Sequence, residues 1–424
     1  MLQSLYKKTV LDSGLRIVTE YIPQVRSVSL GIWVNVGSRD ERPQHSGISH
    51  FIEHMLFKGT RRRSAREIAD ALESVGGSIN AFTAREQTCY YAKVLDEHLP
   101  VAVEVLADIL KNSLLVPADL EKEKKVISEE IKDVQDSPSD LIHDLFAESI
   151  WEGHQLGRPI MGSVQSVTRL ARRDLVAYLR SHYVAPAVVV AACGNVSHRK
   201  LVRLVEREFD FSANGKVNGQ VRTRPRAKNR RHVQPRTTSQ THVCLGVPAL
   251  PFRDEARHAL LILNTILGGG MSSRLFQSVR EKRGLAYTIY SFQEFYQDTG
   301  LLGIYLGTDN QQVAQAVELV LRELRKFRRE KLSASELTAA KSQLKGNLML
   351  GLESTSNRMN RLARHELFLN EYVSLDDTIR AINKVKSRDV TLLAERLLDE
   401  ERLAAVVLGP NHNTLIDKID WNLS

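Results

Sequence analysis

A pattern of strand, turn and helix occurs twice in this chain of 424 residues. In the first half, SLGIWVNVGSRDE (29–41) leads into a helical segment that ends MLFKG. In the second half, VCLGVPALPFRDE (243–255) leads into one that ends TILGG. A repeat of this size predicts a duplicated domain. Since each copy mixes strand-like and helical patterns, we expect an α+β fold of two homologous domains, each a largely antiparallel sheet with helices packed on it.

A polar stretch near the middle separates the two copies. ANGKVNGQVRTRPRAKNRRHVQPR (213–236) combines glycine, proline, asparagine and many charges, with almost no apolar periodicity. Such composition is typical of a linker or a long exposed loop. We therefore predict an N-terminal domain at 1–212, a basic linker at 213–236 and a C-terminal domain at 237–424. The length of the chain also suits two domains that each bury their own core.

Apolar spacing within the first half predicts particular helices and strands. Residues 65–74, 99–110 and 119–134 have helical spacing, whereas 28–36, 88–94 and 187–192 have the composition of strands. Together they give the mixed pattern expected of an α+β domain.

Composition excludes several classes of protein. No apolar run approaches the roughly 20 residues of a membrane span, and the N-terminus has neither a signal nor a transit pattern, so we expect a cytoplasmic protein that does not enter a membrane. The three cysteines are too far apart for a disulfide framework or a zinc knuckle and are expected to be buried. The net charge of +9 is concentrated in short tracts without interleaved aromatic residues, so nucleic acid is not an expected partner.

The pentapeptide HFIEH (50–54) is the first candidate for chemistry. On a helix, His50 and His54 share one face and can reach the same metal ion, and Glu53 lies beside any water bound there. Phe51, Ile52 and neighbouring apolar residues predict that the opposite face is buried. The alternative is an ordinary core helix with two hydrogen-bonded histidines, so a third ligand is required.

A second helix offers acidic side chains on its apolar stripe. Steps of three and four residues place Glu123 and Glu130 with Leu120, Ile127 and Val134, whereas Glu129 faces about 100° away. An unpaired buried carboxylate is costly, so both residues require a cation or strong donors. A metal ion satisfies this requirement, although a salt bridge to a buried arginine or lysine would do so too.

HFIEHMLFKGT (50–60) resembles the catalytic helix of the inverzincin family, which includes pitrilysin, insulysin and the mitochondrial processing peptidase. The likeness extends over nearly the whole chain, through GGSINAFTAREQTCYYAKV (76–94), LGRPIMG (156–162) and GGGMSSRLFQSVREKRGLAY (268–287). It implies one zinc ion in the N-terminal, catalytic domain. His50, His54 and Glu130 would be its ligands, Glu53 the general base, and Glu123 a second acidic residue that supports the ligands without binding the metal.

The resemblance also implies how substrate is held. The strand around Asn80, Ala81 and Phe82 would bind an extended peptide through its main chain. Arg280 and Tyr287 occupy the positions of the family's Arg/Tyr pair, in which the tyrosine hydroxyl stabilises the tetrahedral intermediate. Without the resemblance, ordinary packing would be the better interpretation of both residues. The glycines at 268–270 could likewise be only a helix end.

The C-terminal copy lacks the metal residues. When LFKG (56–59) is laid on ILGG (266–269), the positions of His50, Glu53 and His54 fall on Leu260, Leu263 and Asn264. One chain nevertheless carries both the metal motif and the glycine-rich segment, which belong to different subunits in mitochondrial processing peptidases. This difference suggests a homodimer with two equivalent sites. Within each chain, the two domains are expected to close over the substrate by hinging at the basic linker.

The sequence thus predicts a zinc metalloendopeptidase that hydrolyses peptides or unstructured protein segments. A non-catalytic assembly or binding subunit of the same fold is the alternative, and a zinc hydrolase of small molecules is a second one. His45 and His154 lie in turns and are expected to be loop residues.

Overall fold

The computed structural model describes residues 5–209, 222–410 and 418–423. The chain divides into two units. The first takes residues through Lys132, Arg158–Arg222 and Gly351–Tyr372; the second takes Asp133–Gly157, Thr223–Leu350 and residues from Val373 onward.

A six-stranded sheet forms the centre of the first unit, in the order β1-β2-β6-β3-β5-β4. Only β2 and β6 are parallel neighbours; the other neighbouring pairs are antiparallel. The strands are β1 Leu5–Val10, β2 Arg16–Tyr21, β3 Ser27–Val34, β4 Ser78–Thr83, β5 Thr88–Leu95 and β6 Val188–Gly194.

A five-stranded sheet forms the centre of the second unit, in the order β7-β11-β8-β10-β9. Here too, one pair, β7 and β11, is parallel and the rest are antiparallel. This order repeats that of β2-β6-β3-β5-β4 in the first sheet, which confirms the predicted α+β duplication. The strands are β7 Arg231–Pro235, β8 Thr241–Ala249, β9 Ala286–Phe295, β10 Gly300–Thr308 and β11 Ala404–Gly409.

The helices pack on both faces of these sheets. In the first half of the chain they are α1 Ile48–Leu56, α2 Ala65–Glu73, α3 Leu99–Asn112, α4 Pro117–Asp136, α5 Pro138–Ile150, α6 Val164–Arg169, α7 Arg172–His182 and α8 His198–Glu208. In the second half they are α9 Arg257–Gly268, α10 Val313–Arg329, α11 Ala334–Gly351, α12 Thr355–Leu369, α13 Leu375–Lys384 and α14 Ser387–Leu397. A π-helical segment, Phe276–Glu281, precedes β9.

The main core of the first unit lies between one sheet face and helices α1 and α3. Alternate residues of β3, Leu30 and Ile32, face this core, because successive side chains of a strand point to opposite faces. Phe51 and Ile52 of α1 pack in the same core without solvent exposure. The apolar side of the HFIEH helix is therefore buried, as its sequence predicted.

Each sheet is covered on its other face by a helix from the opposite half of the chain. Met359 and Leu362 of α12 pack with Trp33 on the first sheet. Ile142 and Phe146 of α5 pack in a cluster on the second sheet. The units therefore do not follow the linear boundaries at 212 and 237, because a helical pattern shows which side of a helix is apolar but not which sheet will cover it.

The predicted linker is only partly a connecting segment. Residues 213–221 lie outside the described residues. Beyond them, the side chain of Arg222 is only 11% exposed, and its guanidinium is 2.7 Å from a carboxylate oxygen of Asp40. Arg231–Pro235 forms strand β7. The prediction of a linker does not hold for this strand. As an edge strand with partly exposed side chains, β7 has no apolar alternation by which it could be recognised.

Two predictions from composition can be compared with the described residues. Cys89, Cys193 and Cys244 are all unpaired and buried, as expected. Among the described helices, none combines the length and the apolar character needed to cross a membrane.

Candidate metal centre

The first turn of α1 is fixed by a buried carboxylate. Oε2 of Glu41 accepts a hydrogen bond from the Gly47 amide at 2.7 Å, and Oε1 accepts one from the Ser49 amide at 2.8 Å. These amides belong to the helix start, where backbone donors have no partner within the helix. Gly47 has a φ of 92°, and a Cβ there would lie 2.4 Å from the carbonyl oxygen of Met161. Only glycine suits this entry into α1.

On one face of α1, the imidazoles of His50 and His54 lie close to the carboxylate of Glu130 from α4. Nε2 of His54 is 3.5 Å, and Nε2 of His50 3.9 Å, from the same Oε2 atom of Glu130. One ligand atom from each residue lies within 4.8 Å of the other two. Glu129 points away and pairs with Lys132 at the surface, at 2.7 Å. The structure thus brings together the three residues that the sequence singled out as candidate ligands.

The other nitrogen of His54 is held by a second carboxylate of α4. Nδ1 of His54 is 3.1 Å from Oε2 of Glu123, whose Oε1 is 2.8 Å from Nζ of Lys58. Glu123 is buried. A carboxylate accepts hydrogen bonds at both oxygens, so Glu123 favours the tautomer of His54 that carries its proton on Nδ1. In the neutral ring, the lone pair of Nε2 then faces Glu130.

These donors fit a zinc ion. A lone pair directed at a carboxylate is repulsive unless a cation or an additional proton lies between them. Burial, and then electrostatic interaction with the neighbouring His54, lower the pKa of His50 to about 4, so that His50 is neutral near neutral pH. Two imidazoles and a carboxylate are ligands that zinc prefers, and tetrahedral bonds of about 2.0–2.1 Å separate ligand atoms by about 3.4 Å. The observed separations from Glu130 are close to this value.

Glu53 lies on the same helix and points at the end of β4. Its Oε2 accepts a hydrogen bond of 2.6 Å from the hydroxyl of Thr83. Burial raises the pKa of Glu53, while the bond from Thr83 opposes the increase. One carboxylate oxygen is thus fixed by Thr83, and the raised pKa favours a carboxylate that both takes and returns a proton.

The residues expected to bind peptide lie on β4, at the edge of the first sheet. Asn80 is exposed, and Ala81 and Phe82 are partly exposed. Oδ1 of Asn80 accepts a hydrogen bond from the Ala81 amide at 2.8 Å. An edge strand keeps one side of its backbone unpaired by the sheet, which is the feature that strand addition requires.

Arg280 and Tyr287 lie together in the second unit. The guanidinium carbon of Arg280 is 5.4 Å from the centre of the Tyr287 ring and 4.8 Å from that of Phe276. Tyr287 is 73% exposed, which is unusual for a tyrosine placed by packing alone. Helix α9 ends at Gly268, so this glycine also serves as a helix end.

The two histidines assigned to turns have other partners. Nε2 of His45 is 4.0 Å from Asp174. Nε2 of His154 is 3.0 Å from the carbonyl oxygen of Thr223. Neither belongs to the group that could hold a metal.

Sequence reasoning missed two residues that contact the site. Lys58 bonds Glu123, and Thr83 bonds Glu53. Both stand within segments that carry the family resemblance, but spacing along a single helix or strand gives no indication of partners 65 and 30 positions away.

The fold and the three donors together match the class that the sequence resembles, the zinc peptidases with a duplicated α+β domain. Residues 16–164 match the family model described as insulinase, peptidase family M16, and residues 169–344 match the peptidase M16 inactive domain. An uncharacterized zinc protease of Streptomyces coelicolor is 45% identical over 95% of this chain and 89% of its own length. One of Bacillus subtilis is 42% identical over 96% and 99%. The chain therefore belongs to peptidase family M16, as the sequence resemblance implied, and its relatives are named as zinc proteases.

Solved structures share the fold. A protease from Helicobacter pylori superposes with a TM-score of 0.88 at 23% identity, covering 96% of this chain and all of that one. A peptidase M16 inactive domain from Pseudomonas fluorescens gives 0.89 at 20% identity, covering 96% and 98%. These similarities confirm the arrangement of two M16-like domains.

Proposed function

We propose that this protein is a zinc metalloendopeptidase that cleaves peptides and unstructured protein segments. One observation carries the proposal: the Nε2 atoms of His50 and His54 and a carboxylate oxygen of Glu130 converge, with Glu53 on the same helix. The membership of family M16 supports it, as do the zinc proteases that resemble the chain over nearly their full lengths.

In this mechanism His50, His54 and Glu130 would hold one zinc ion. Zinc, when bound, polarises the scissile carbonyl and increases the acidity of water. Glu53 accepts a proton from the attacking water at Oε1, since Thr83 occupies its Oε2. Glu53 then returns this proton to the nitrogen of the leaving amine. Glu123 keeps the proton of His54 on Nδ1, so that Nε2 remains free to bind.

The proposed substrate is an extended chain. A peptide that adds to β4 alongside Asn80, Ala81 and Phe82 would be bound by main-chain hydrogen bonds, which give weak sequence preference. A folded protein cannot present such a strand without local unfolding. Cleavage should therefore favour peptides and disordered segments.

We also propose roles for two residues of the second unit and for a partner chain. The hydroxyl of Tyr287 would stabilise the tetrahedral intermediate, with Arg280 holding the tyrosine ring through the observed stacking. Because one chain carries both the metal motif and the glycine-rich segment, two identical chains would form a homodimer. Sedimentation of a monomer at working concentration would contradict the homodimer.

The test of the function is Glu53→Gln. This variant should keep its zinc, because Glu53 is not a proposed ligand, and should lose at least about 100-fold in kcat on a disordered peptide, as expected for removal of a general base. Zinc content by elemental analysis and peptide cleavage by mass spectrometry are measured on the same preparation. Glu129→Gln serves as the matched control and should keep both zinc and activity.

The rival function, a non-catalytic assembly subunit, gives a different result. In that case the unaltered protein would bind zinc without cleaving peptides, and Glu53→Gln would change nothing. Retention of more than a few per cent of activity by Glu53→Gln would instead show that another group is the base.

A further inference from the structure

A cavity of about 590 Å³ lies in the first unit at the end of the sheet where β3 begins. Its wall includes Arg26, directly before β3, and Asp96, directly after β5. Thr83, which contacts Glu53, instead pairs with Thr88, and Thr88 lies opposite Val34 at the far end of β3. The eight residues of β3 span about 23 Å. The cavity is therefore separate from the candidate metal centre, and it shares none of that centre's residues.

The cavity wall has more positive than negative charge. Lys7, Arg199 and Lys200 line it, and none of them has an acidic partner within the described residues. Arg26 also lines it but is paired with Asp96 at 3.1 Å. With Glu97 as the second carboxylate, four cations face two anions. The surplus of two positive charges favours an anionic ligand.

Asp96 does not compete for the three unpaired cations. Its carboxylate accepts bonds from Arg26, from the side-chain amide of Asn195 and from the backbone amide of Glu97. Its acceptor positions are thus occupied within the wall.

The base of the cavity is fixed and partly apolar. The ring of His198 is held between the hydroxyls of Thr9, at 2.8 Å, and Thr19, at 2.9 Å. Burial and the charge of Lys7 lower the pKa of His198, which leaves it a neutral part of the wall. Leu99 and Val196 are buried beside it. A ligand with an apolar group as well as charge would suit this base.

We propose that the cavity binds a small organic phosphate, that is, a phosphate monoester on an apolar body. A monoester carries about −1.5 to −2 charges near pH 7, which matches the surplus of two, and its oxygens can accept from several cations at once. The volume is within the roughly 300–1,000 Å³ of ligand pockets. Lys7, Arg199 and Lys200 bind the phosphate, and the partly exposed Tyr21, with Leu99 and Val196 buried behind it, contacts the apolar body.

The test is calorimetric titration of the full-length protein with phenyl phosphate. Benzenesulfonate, with a similar shape but one negative charge, is the matched ligand. The triple variant Lys7→Ala, Arg199→Ala, Lys200→Ala should bind phenyl phosphate at least about tenfold more weakly than the unaltered protein. The control triple variant Lys331→Ala, Lys345→Ala, Arg388→Ala removes the same charge from the second unit and should change affinity less than about twofold. Benzenesulfonate should bind the unaltered protein more weakly than phenyl phosphate does.

Several results would overturn the proposal. They are the absence of saturable binding of phenyl phosphate up to about 10 mM, and an equal loss of affinity in both triple variants, as expected for general charge effects. Binding that persists in both variants but disappears when zinc is removed would assign the phosphate to the metal centre. Thermal unfolding checks that both variants remain folded, and Arg199→Glu provides a second, single-residue test with the same expected loss.

Discussion

Glu129 and Glu130 are neighbours on α4 that differ in what their carboxylates reach. Glu130 points at His50 and His54, whereas Glu129 pairs with Lys132 at the surface. We predict that Glu130→Gln loses zinc by at least about 100-fold in affinity, because a neutral amide replaces an anionic ligand, and that Glu129→Gln keeps it. Competition with a zinc-binding dye measures both affinities. Equal zinc retention would disprove the assignment of Glu130.

Glu123 belongs to the same series and should give an intermediate result. It bonds Nδ1 of His54 and Nζ of Lys58 without reaching the group of ligand atoms. Loss of such a supporting hydrogen bond typically costs about 10–100-fold in metal affinity. We therefore expect Glu123→Gln to fall between Glu129→Gln and Glu130→Gln in the dye competition.

Helical periodicity predicted those parts of the candidate site that lie on a single helix, but not the contacts between elements. Spacing placed His50, Glu53 and His54 on one helix face, and the stripe on α4 predicted that Glu123 and Glu130 would need a cation or strong donors. Periodicity could not predict Lys58 as the partner of Glu123, because that contact depends on how the turn after α1 packs against α4. Thr83 was missed for the same reason, since its bond to Glu53 joins a strand to a helix.

One partly buried histidine, His258, should make the metal-free protein sensitive to acid. Burial, together with Arg257, lowers the pKa of His258 from 6.5 to about 4. Between these values the unfolded chain binds the proton and the folded chain does not, so stability is present above pH 6.5 and is lost as pH falls. At pH 5, the lowered pKa of His258 should reduce the free energy of unfolding by about 1 kcal/mol, a value that allows for the partial exposure of this side chain.

Urea unfolding at pH 7 and pH 5 in the presence of a chelator measures this loss. His258→Gln should reduce the difference between the two pH values by about 1 kcal/mol. His98→Gln, which alters a partly exposed histidine on a short turn, is the control. An unchanged pH difference in His258→Gln would contradict the prediction.

At the scale of the element, the entry into α1 depends on one glycine. Gly47 and Gly76 both have positive φ, 92° and 71°, but a Cβ at Gly47 would meet the Met161 carbonyl, whereas one at Gly76 would meet nothing within 4 Å. Gly76→Ala should lower the free energy of unfolding by about 1 kcal/mol, which is the cost of placing a Cβ on a left-handed backbone with no steric overlap. Gly47→Ala should cost at least about 2 kcal/mol more, because it adds steric overlap.

Chemical denaturation of the two glycine variants gives both free energies. Gly47→Ala should also weaken zinc binding, since α1 carries His50 and His54, while Gly76→Ala should leave it unchanged. Equal destabilisation by the two substitutions would show that the contact with Met161 is not limiting.

Individual helices and strands were predicted more reliably than the elements against which they pack. The apolar spacing at 119–134 corresponds to α4, Pro117–Asp136, and the strand expected at 88–94 corresponds to β5, Thr88–Leu95. Spacing identifies an element because burial repeats with its period. The strand β7 was missed, because an edge strand whose side chains are all partly or fully exposed lacks that period. The exchange of α5 and α12 could not be predicted, since an apolar helix face fits either sheet.

At the scale of the molecule, this exchange makes each half of the chain dependent on the other. Residues 1–222 lack α12, whose Glu366 is 2.8 Å from Lys8 and 3.3 Å from Arg16. Without α12, the face that carries Trp33 is exposed. Residues 223–424 lack α5 in the same way. We predict that neither fragment alone unfolds cooperatively and that the two fold when mixed, as monitored by circular dichroism during heating.

A rearranged chain provides the control for the fragments. Residues 1–132, 158–222 and 351–372, joined by Gly/Ser linkers, contain the whole first unit and should fold alone. A cooperative transition in the 1–222 fragment by itself would contradict the dependence on α12.

Because α5 is synthesised before most of the sheet that it covers, the exchange of helices also affects folding during translation. Helix α5 packs on a sheet whose last strand, β11, begins at residue 404. At about 5–20 residues per second, roughly 260 residues of synthesis separate Phe146 from that strand, a delay of about 13–50 s. Throughout this interval Ile142, Phe146 and Ile150 have no completed sheet to cover them. The nascent chain must therefore present an apolar helix for tens of seconds, which makes it a substrate for chaperones that bind exposed apolar segments during translation.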